Sequence, residues 1–433
     1  MLEFWIQNGE AQGMISPSTK MEDILSPICQ RDGSLTCFSQ KIFSMLNAKS
    51  KADLSKKVTR YVRNFEPSNR RLCSICGATG AGKLKGWMFP FIIDKNKFPN
   101  LYPNGSVESL NACKACLMKS LRAYGAALFS GQRVNRNTVH LNMILFFSDD
   151  ASSLAQFRRT YLTGTVVPEY YYNWKPRIRL DIVYFPHEFL MQMLNYVASK
   201  MAEAELTRQR EVGVVLISFS QGRSKRLYEH VETAITTSPL LIALEKFNEN
   251  SERSRFFPFF RSMREETPMA NLTPNAFINR DKFFQELLLY RKINWAVLED
   301  ILFYRLSVDR PIAYLHGFLK EFMAALSDSD AQYYDAVSRQ GRSLVSSLLE
   351  RGEQPKAVKA AIYELRRERD DLGEFLDIVN VLQLRAGSAF DDRVFKEHED
   401  VFFKLRTFFM IGMTNALFQS RREEETEETA SAS

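Results

Sequence analysis

Two short cysteine pairs constrain this chain more than any other feature. Cys73-Ser74-Ile75-Cys76-Gly77 and Cys113-Lys114-Ala115-Cys116 each hold their thiols at the CxxC spacing, which lets two sulfurs reach one ion. Gly77 leaves the backbone room to turn its N–H groups toward the sulfurs. The second pair opens the run Leu117–Phe129, which reads as a helix, and a helix N-terminus favours thiolate over thiol. Four thiolates around one divalent ion close a tetrahedron and leave no open position for catalysis. The expectation is therefore a structural Zn2+ on Cys73, Cys76, Cys113 and Cys116. The insert between the pairs, residues 77–112, is longer than in common zinc ribbons; two unrelated pairs of buried cysteines are the alternative. Cys29 and Cys37 are expected to be core or incidental residues.

Cysteines spaced for metal fit a reducing compartment. The N-terminus, from Met1 to Glu10, has neither a basic segment nor an apolar one, so no signal peptide is expected. No apolar run of about 18 residues is evident, so no membrane span is expected either. The expected location is the cytoplasm.

The chain has 433 residues, enough for two or three domains. Its net charge of +7 is uneven: +9 over residues 1–150, +4 over 151–262 and −6 over 263–433. A basic N-terminal half attracts phosphate backbones, although a solvated basic face has the same composition.

Patterning divides the chain similarly. Residues 35–66 read as helical, and a loop-rich stretch spans Glu66 to Asn111. Runs at Val139–Phe147, Ile178–Phe185 and Val212–Phe219 read as strands. A helix opened by Pro186 and reaching about Arg210 lies between the last two, giving an α+β or α/β body over about 132–248. Residues 249–276 read as a linker interrupted by Phe256-Phe257-Pro258-Phe259-Phe260, a buried anchor or a plug for a partner. Beyond Phe277 helices are expected at 280–306, 311–326, 329–351, 355–385 and 391–420, punctuated by Pro311, Gly352, Pro355 and Gly387.

The expected fold class is thus α+β: a zinc-containing N-terminal region with a mixed α/β body, then an all-α bundle. The expected domains are 1–262, with a zinc module over 66–131, then 277–420, then a disordered acidic tail over 421–433. Met263 and Met269 precede the first bundle helix, and a product starting at Met269 is expected to fold alone.

Catalytic motifs are incomplete. Gly77–Lys83 fits the GxxxxGK half of a phosphate loop, but Leu84 stands where magnesium needs Ser or Thr, and a cysteine pair stands where a strand should precede. Ser218-Phe219-Ser220-Gln221-Gly222 is not a nucleophile elbow. His140, His187, His230, His316 and His398 form no metal or nucleophile pattern. Asp149-Asp150 reads as an exposed strand end. No catalytic residue is assigned, and the chain is not expected to be an enzyme.

Four segments mix cationic donors with aromatic or small polar residues: Lys83–Lys97, Gly131–Asn137, Tyr170–Arg179 and Gln221–Arg226. Arg and Lys neutralise phosphates, Asn and Gln read base edges, and aromatics stack on bases. Candidate nucleic-acid contacts are Lys83, Lys85, Lys95, Lys97, Arg133, Asn135, Arg136, Asn137, Arg177, Arg179, Arg223, Lys225 and Arg226.

The CxxCG knuckle, the long insert ending in Asn111-Ala112-Cys113-Lys114-Ala115-Cys116, the following helix, the central body and the helical C-terminal region together resemble the CXXC–CXXC CRISPR-associated proteins. These are large subunits of type I-B Cascade surveillance complexes. The resemblance implies a non-catalytic subunit that contacts crRNA and target double-stranded DNA, recognises the protospacer-adjacent motif and supports R-loop formation. Its implied partners are other Cascade subunits and a recruited nuclease-helicase or transposition proteins, with no membrane. Of the family's motif, only Cys73, Cys76, Cys113 and Cys116 carry over. The alternatives are a free-standing zinc-containing DNA-binding or repair factor, or a nucleotide-hydrolysing enzyme that tolerates Leu84.

Overall fold

The structure is a computed structural model. It describes residues 20–25, 46–65, 68–83, 111–126, 128–133, 139–148, 186–204, 212–221, 226–234, 239–249, 255–263, 278–328, 331–368 and 371–431, with the single positions Ile6, Gln7, Gly9, Glu10, Leu35, Phe43, Trp87, Ser152, Leu154, Ala155 and Phe157. The chain divides into two units, Met1–Ser238 and Pro239–Ser433.

In the first unit, α1 (Met21–Leu25) buries Ile24 and Leu25 against α2 (Lys51–Arg63). Of the helix expected over 35–66, the described residues carry α2, and among them Leu35, Phe43 and Leu46 lie in no α-helix. Asn47 takes a positive φ of 54°, which a continuing helix does not allow. Ser50 then caps the new start, its hydroxyl accepting from the Asp53 N–H at 3.2 Å.

A three-stranded antiparallel sheet follows, built from β1 (Ser68–Leu72), β2 (Thr79–Lys83) and β3 (Asn111–Ala112) in that order. After it comes α3 (Lys114–Ala126), which buries Leu117, Leu121 and Tyr124. The Tyr124 hydroxyl donates to the Trp87 carbonyl at 2.6 Å, and Phe43 stacks obliquely on both rings.

The helix expected to continue to Phe129 stops at Ala126. Leu128 and Phe129 begin β4 (Leu128–Arg133), which pairs with β5 (Val139–Ser148). Then come α4 (Pro186–Ala204), β6 (Val212–Gln221) and β7 (Arg226–Ala234). These strands form one sheet in the order β4-β5-β6-β7, antiparallel throughout. Among the described residues the body is therefore an antiparallel sheet with α4 packed on β5 and β6, not a parallel α/β arrangement. The strand expected at Ile178–Phe185 lies outside the described residues.

The second unit is helical. It comprises α5 (Pro239–Glu249), α6 (Phe256–Ser262), α7 (Ile278–Tyr290), α8 (Trp295–Ser307), α9 (Leu315–Ala325), α10 (Ala331–Glu350), α11 (Pro355–Arg367), α12 (Leu372–Ala386), α13 (Arg393–Glu397) and α14 (Phe402–Ser431). The domain boundary moves from the expected 262 to 238, because α5 and α6 belong to this core. Phe247 meets Phe318 edge-on at 5.6 Å, Phe259 stacks on Phe318 at 4.5 Å, and Phe260 stacks on Phe284 at 5.5 Å. The phenylalanine run in the expected linker is a buried anchor within its own chain.

Helix α14 continues to Ser431, through the acidic residues expected to be disordered. Extending an established helix needs no new nucleus, and Glu-rich sequence propagates it well. The stretch Glu399–Ser420, which runs from the 3-10 turn before α14 into the helix, is long and apolar enough to cross a membrane, but 78% of its apolar 18-residue window is buried within the protein. It packs along α10 at unusually close range. A Cβ at Gly341 would lie 2.3 Å from the Phe409 carbonyl oxygen, and one at Gly412 would lie 2.0 Å from that of Ser338.

Helix α14 also carries Arg406 into the core. Its guanidinium is fully buried against Glu299 of α8 and donates to the Arg366 carbonyl at 3.2 Å, in the last turn of α11. A cation there satisfies carbonyls that the helix end leaves unpaired. The Thr407 hydroxyl donates to Glu299 at 3.2 Å. Removing one partner of such a pair strands a buried charge. Arg406→Met is therefore expected to cost about 3–5 kcal/mol in urea denaturation of the full chain, while Glu299→Leu with Arg406→Met recovers most of that loss. A double variant as unstable as the single one would contradict this account.

Candidate metal centre

Each cysteine pair sits where a strand ends. Cys73 follows β1 and Cys76 lies in the turn before β2, while Cys113 follows β3 and Cys116 is in the first turn of α3. The first turn is closed by Gly77 N–H donating to the Cys73 carbonyl at 2.9 Å and Cys73 N–H donating to that of Ala78 at 2.8 Å. Gly77 adopts φ +72°, a conformation open to glycine at little cost. Two bonds tie the pairs together: Ser74 N–H to the Asn111 carbonyl at 2.9 Å, and Asn111 N–H to the Ser74 hydroxyl at 3.0 Å.

The result brings all four thiols together. Their sulfurs lie within 4.8 Å of one another, and Cys76 and Cys113 are 3.6 Å apart. Tetrahedral zinc with Zn–S near 2.3 Å sets its sulfurs about 3.8 Å apart, whereas a disulfide would need about 2.05 Å. The cluster has the dimensions of a metal cage, and it can hold one ion; a four-sulfur set is compatible with zinc.

Its electrostatics point the same way. Burial pushes the Cys73 thiol up, but the N–H groups of Cys76, Cys113 and Ile75 outweigh it and bring the group down to about 7. The Ala78 N–H favours the Cys76 thiolate, yet burial and the Cys113 and Cys73 sulfurs leave that group raised. Burial, then the sulfurs of Cys76 and Cys113, hold the Cys116 thiol well above its usual range. Four sulfurs this close cannot all ionise without a cation among them. The Cys116 N–H donates to the Cys113 sulfur at 3.4 Å, which ties the two thiols of the second pair together.

The phosphate-loop fragment is not a loop. Thr79–Lys83 is β2, with Ser68 opposite Ala81 and Lys83 opposite Asn111. Its N–H groups are committed to a sheet, and Gly82 is small because the Phe65 ring covers it.

Of the candidate nucleic-acid contacts, Lys83 is exposed at the end of β2. Arg133 and Arg226 stand on one row of the four-stranded sheet: Arg133 faces Val139, Val139 faces Gln221, and Gln221 faces Arg226. Arg133 and Arg226 thus lie at the same end of the sheet, about 14 Å apart across three strand spacings. Lys85, Lys95, Lys97, Asn135, Arg136, Asn137, Arg177, Arg179, Arg223 and Lys225 lie outside the described residues, as do Cys29, Cys37, Asp149 and Asp150.

Sequence reasoning passed over three exposed cations that flank the cysteines, namely Arg70, Arg71 and Lys114. The signal is in Arg70-Arg71-Leu72-Cys73 and Cys113-Lys114, where the charges lie within three positions of the cysteines.

No protein family, curated protein or solved structure matches this chain. Its functional reading rests on its own residues.

Proposed function

We propose that this chain is a zinc-stabilised, non-catalytic nucleic-acid-binding subunit, and specifically the large subunit of a type I-B Cascade complex. The observation that carries the reading is the closed set of four thiols at Cys73, Cys76, Cys113 and Cys116. They join two short antiparallel strands to a helix in a unit whose sequence carries more Lys and Arg than Asp and Glu. A cage of four sulfurs holds its ion without an open position, so zinc there organises the fold and does no chemistry. The cations supply attraction for phosphates.

In this role the N-terminal unit contacts crRNA and target double-stranded DNA and reads the protospacer-adjacent motif. The helical unit supports the R-loop. Other Cascade subunits, and a recruited nuclease-helicase or transposition machinery, complete the assembly. Purification from the native host is expected to bring down a short RNA and several companion proteins in fixed ratio, with one zinc per chain by elemental analysis. A zinc-loaded protein that purifies alone and free of RNA would replace this assignment with a free-standing zinc-containing DNA-binding or repair factor.

A further inference from the structure

We infer that the metal module presents its own phosphate-binding surface, formed by Arg70, Arg71 and Lys114 with Lys83 beside them, and that its partner is a nucleic-acid backbone. This inference rests on the nucleic-acid-binding function proposed above and assigns it to residues outside the loops expected from the sequence.

The placement follows from chain geometry. Arg71 and Arg70 precede Cys73 by two and three positions, so their Cα atoms lie within about 7 and 11 Å of it at 3.6 Å per residue. Lys114 adjoins Cys113 and opens α3. Lys83 pairs with Asn111 across β2 and β3, and Asn111 precedes Cys113 by two positions. That brings Lys83 within about 13 Å of the second cysteine pair. The cations are thus gathered around one four-sulfur cluster, at spacings comparable to a Debye length of about 8–10 Å, where their fields add.

All four are exposed. Among the described residues from Leu54 to Ala126 there is no Asp or Glu; Glu66, Asp94 and Glu108, the carboxylates of that span, lie outside them. Arg63, exposed in the last turn of α2, adds to the same sign. Four thiolates on one divalent ion carry about −2, which the four cations exceed. The module therefore keeps an outward positive field even when its ion is bound. Arginine is suited to this task because its planar fork grips phosphate oxygens in pairs.

Next to Arg71, Leu72 is 62% exposed at the end of β1. An apolar side chain that follows phosphate-binding arginines can press against sugars or a base step once the backbone is held. A sheet pinned by a metal cage offers these groups with little ordering cost.

The test uses the full-length, zinc-loaded chain, a labelled duplex, a single strand of the same sequence, and vesicles of phosphatidylcholine with phosphatidylserine. The variant is Arg70→Ala, Arg71→Ala and Lys114→Ala together. A matched control removes three exposed cations of the helical unit, Lys282, Arg342 and Lys356. Zinc content and melting are measured for each, since these surface changes leave the cage intact. The slope of log affinity against log salt is expected to fall by about 2.7 for duplex, or about 2.1 for single strand. On duplex this removes about 40-fold of the affinity change between 50 and 200 mM salt, and the control keeps the parent slope. Preference for duplex or single strand identifies which backbone the surface takes.

If the parent binds and the triple variant matches its slope, this surface is wrong while the nucleic-acid reading stands. If the zinc-loaded parent binds neither nucleic acid, the proposed function fails and this inference with it. If the variant loses only vesicle binding, the surface belongs to a membrane and the inference is overturned.

Discussion

Stripping the metal with a chelator is expected to unfold the N-terminal unit while leaving the helical unit folded. Among the described residues the three-stranded sheet around the cage is small: five residues in each of β1 and β2 and two in β3. A sheet of that size is marginal in water on its own. The binding free energy of a structural zinc, about 10–16 kcal/mol in small modules, becomes folding free energy in such a case. Cys73→Ala and Cys116→Ala, which remove buried ligands, are expected to reproduce the chelator's effect. Acid should act in the same direction, because every bound thiolate displaces a proton. Below about 7, Cys73 adds one more proton to displace, so zinc retention should fall more steeply there than above it. The measurement is melting by circular dichroism, with limited proteolysis to show which unit is cleaved. Metal-free protein with an unchanged melting profile would rule out a structural role for the cage.

The second large effect concerns where the helical unit begins. A fragment of residues 239–433 is expected to unfold cooperatively, whereas 269–433 is expected to be molten or insoluble. The shorter fragment lacks α5 and α6 and with them the buried Leu240, Leu241, Leu244, Phe247, Phe256, Phe259, Phe260 and Met263. It uncovers Phe284 and Phe318, against which Phe247, Phe259 and Phe260 pack. Truncating one buried Phe costs about 3–5 kcal/mol, so losing four, about 12–20 kcal/mol, matches or outweighs the roughly 5–15 kcal/mol that holds a domain. The segment is also tied in by polar contacts. Arg280 lies 4.2 Å above the Phe260 ring and donates to its carbonyl at 3.2 Å, and the Ala313 N–H donates to the Ser262 hydroxyl at 2.9 Å. The sequence-based expectation that a product starting at Met269 folds alone is thereby reversed. A small subunit from an internal start would have to begin upstream of Pro239 to keep this core. Equal denaturation midpoints for the two fragments would restore the shorter boundary.

What the sequence disclosed depended on whether a feature was local. The cysteine pairs were legible because ligand spacing is a property of a few neighbouring residues. Gly352, Pro355 and Gly387 marked helix ends for the same reason, with Gly352 and Gly387 taking positive φ and Pro355 starting α11. Breaks without Gly or Pro were missed. The helix expected over 280–306 is split at Arg291, which takes φ 52°. It restarts at Asn294, whose side chain caps Val297 at 3.1 Å. Asp371 likewise divides 355–385 by capping Glu374 at 3.0 Å. Strand β7 went unread because Arg226, Glu229 and Glu232 interrupt its apolar alternation, and only pairing with β6 identifies it. The unit boundary was hidden because a composition change near 263 says nothing about which phenylalanines meet.

The close seating of α10 on α14 fixes more than a distance. Helices usually pack about 8–10 Å apart, separated by side chains that can change rotamer as neighbours slide. Here Gly341 faces the backbone of one helix and Gly412 faces that of the other, so two notches interlock in opposite directions. A slip of one residue, about 1.5 Å, would bring bulkier neighbours such as Arg342 or Met413 toward the opposing carbonyls. The pair consequently has one register and behaves as a keyed shaft. Any rearrangement that binding drives in the helical unit must swing the shorter helices about that shaft and leave it whole.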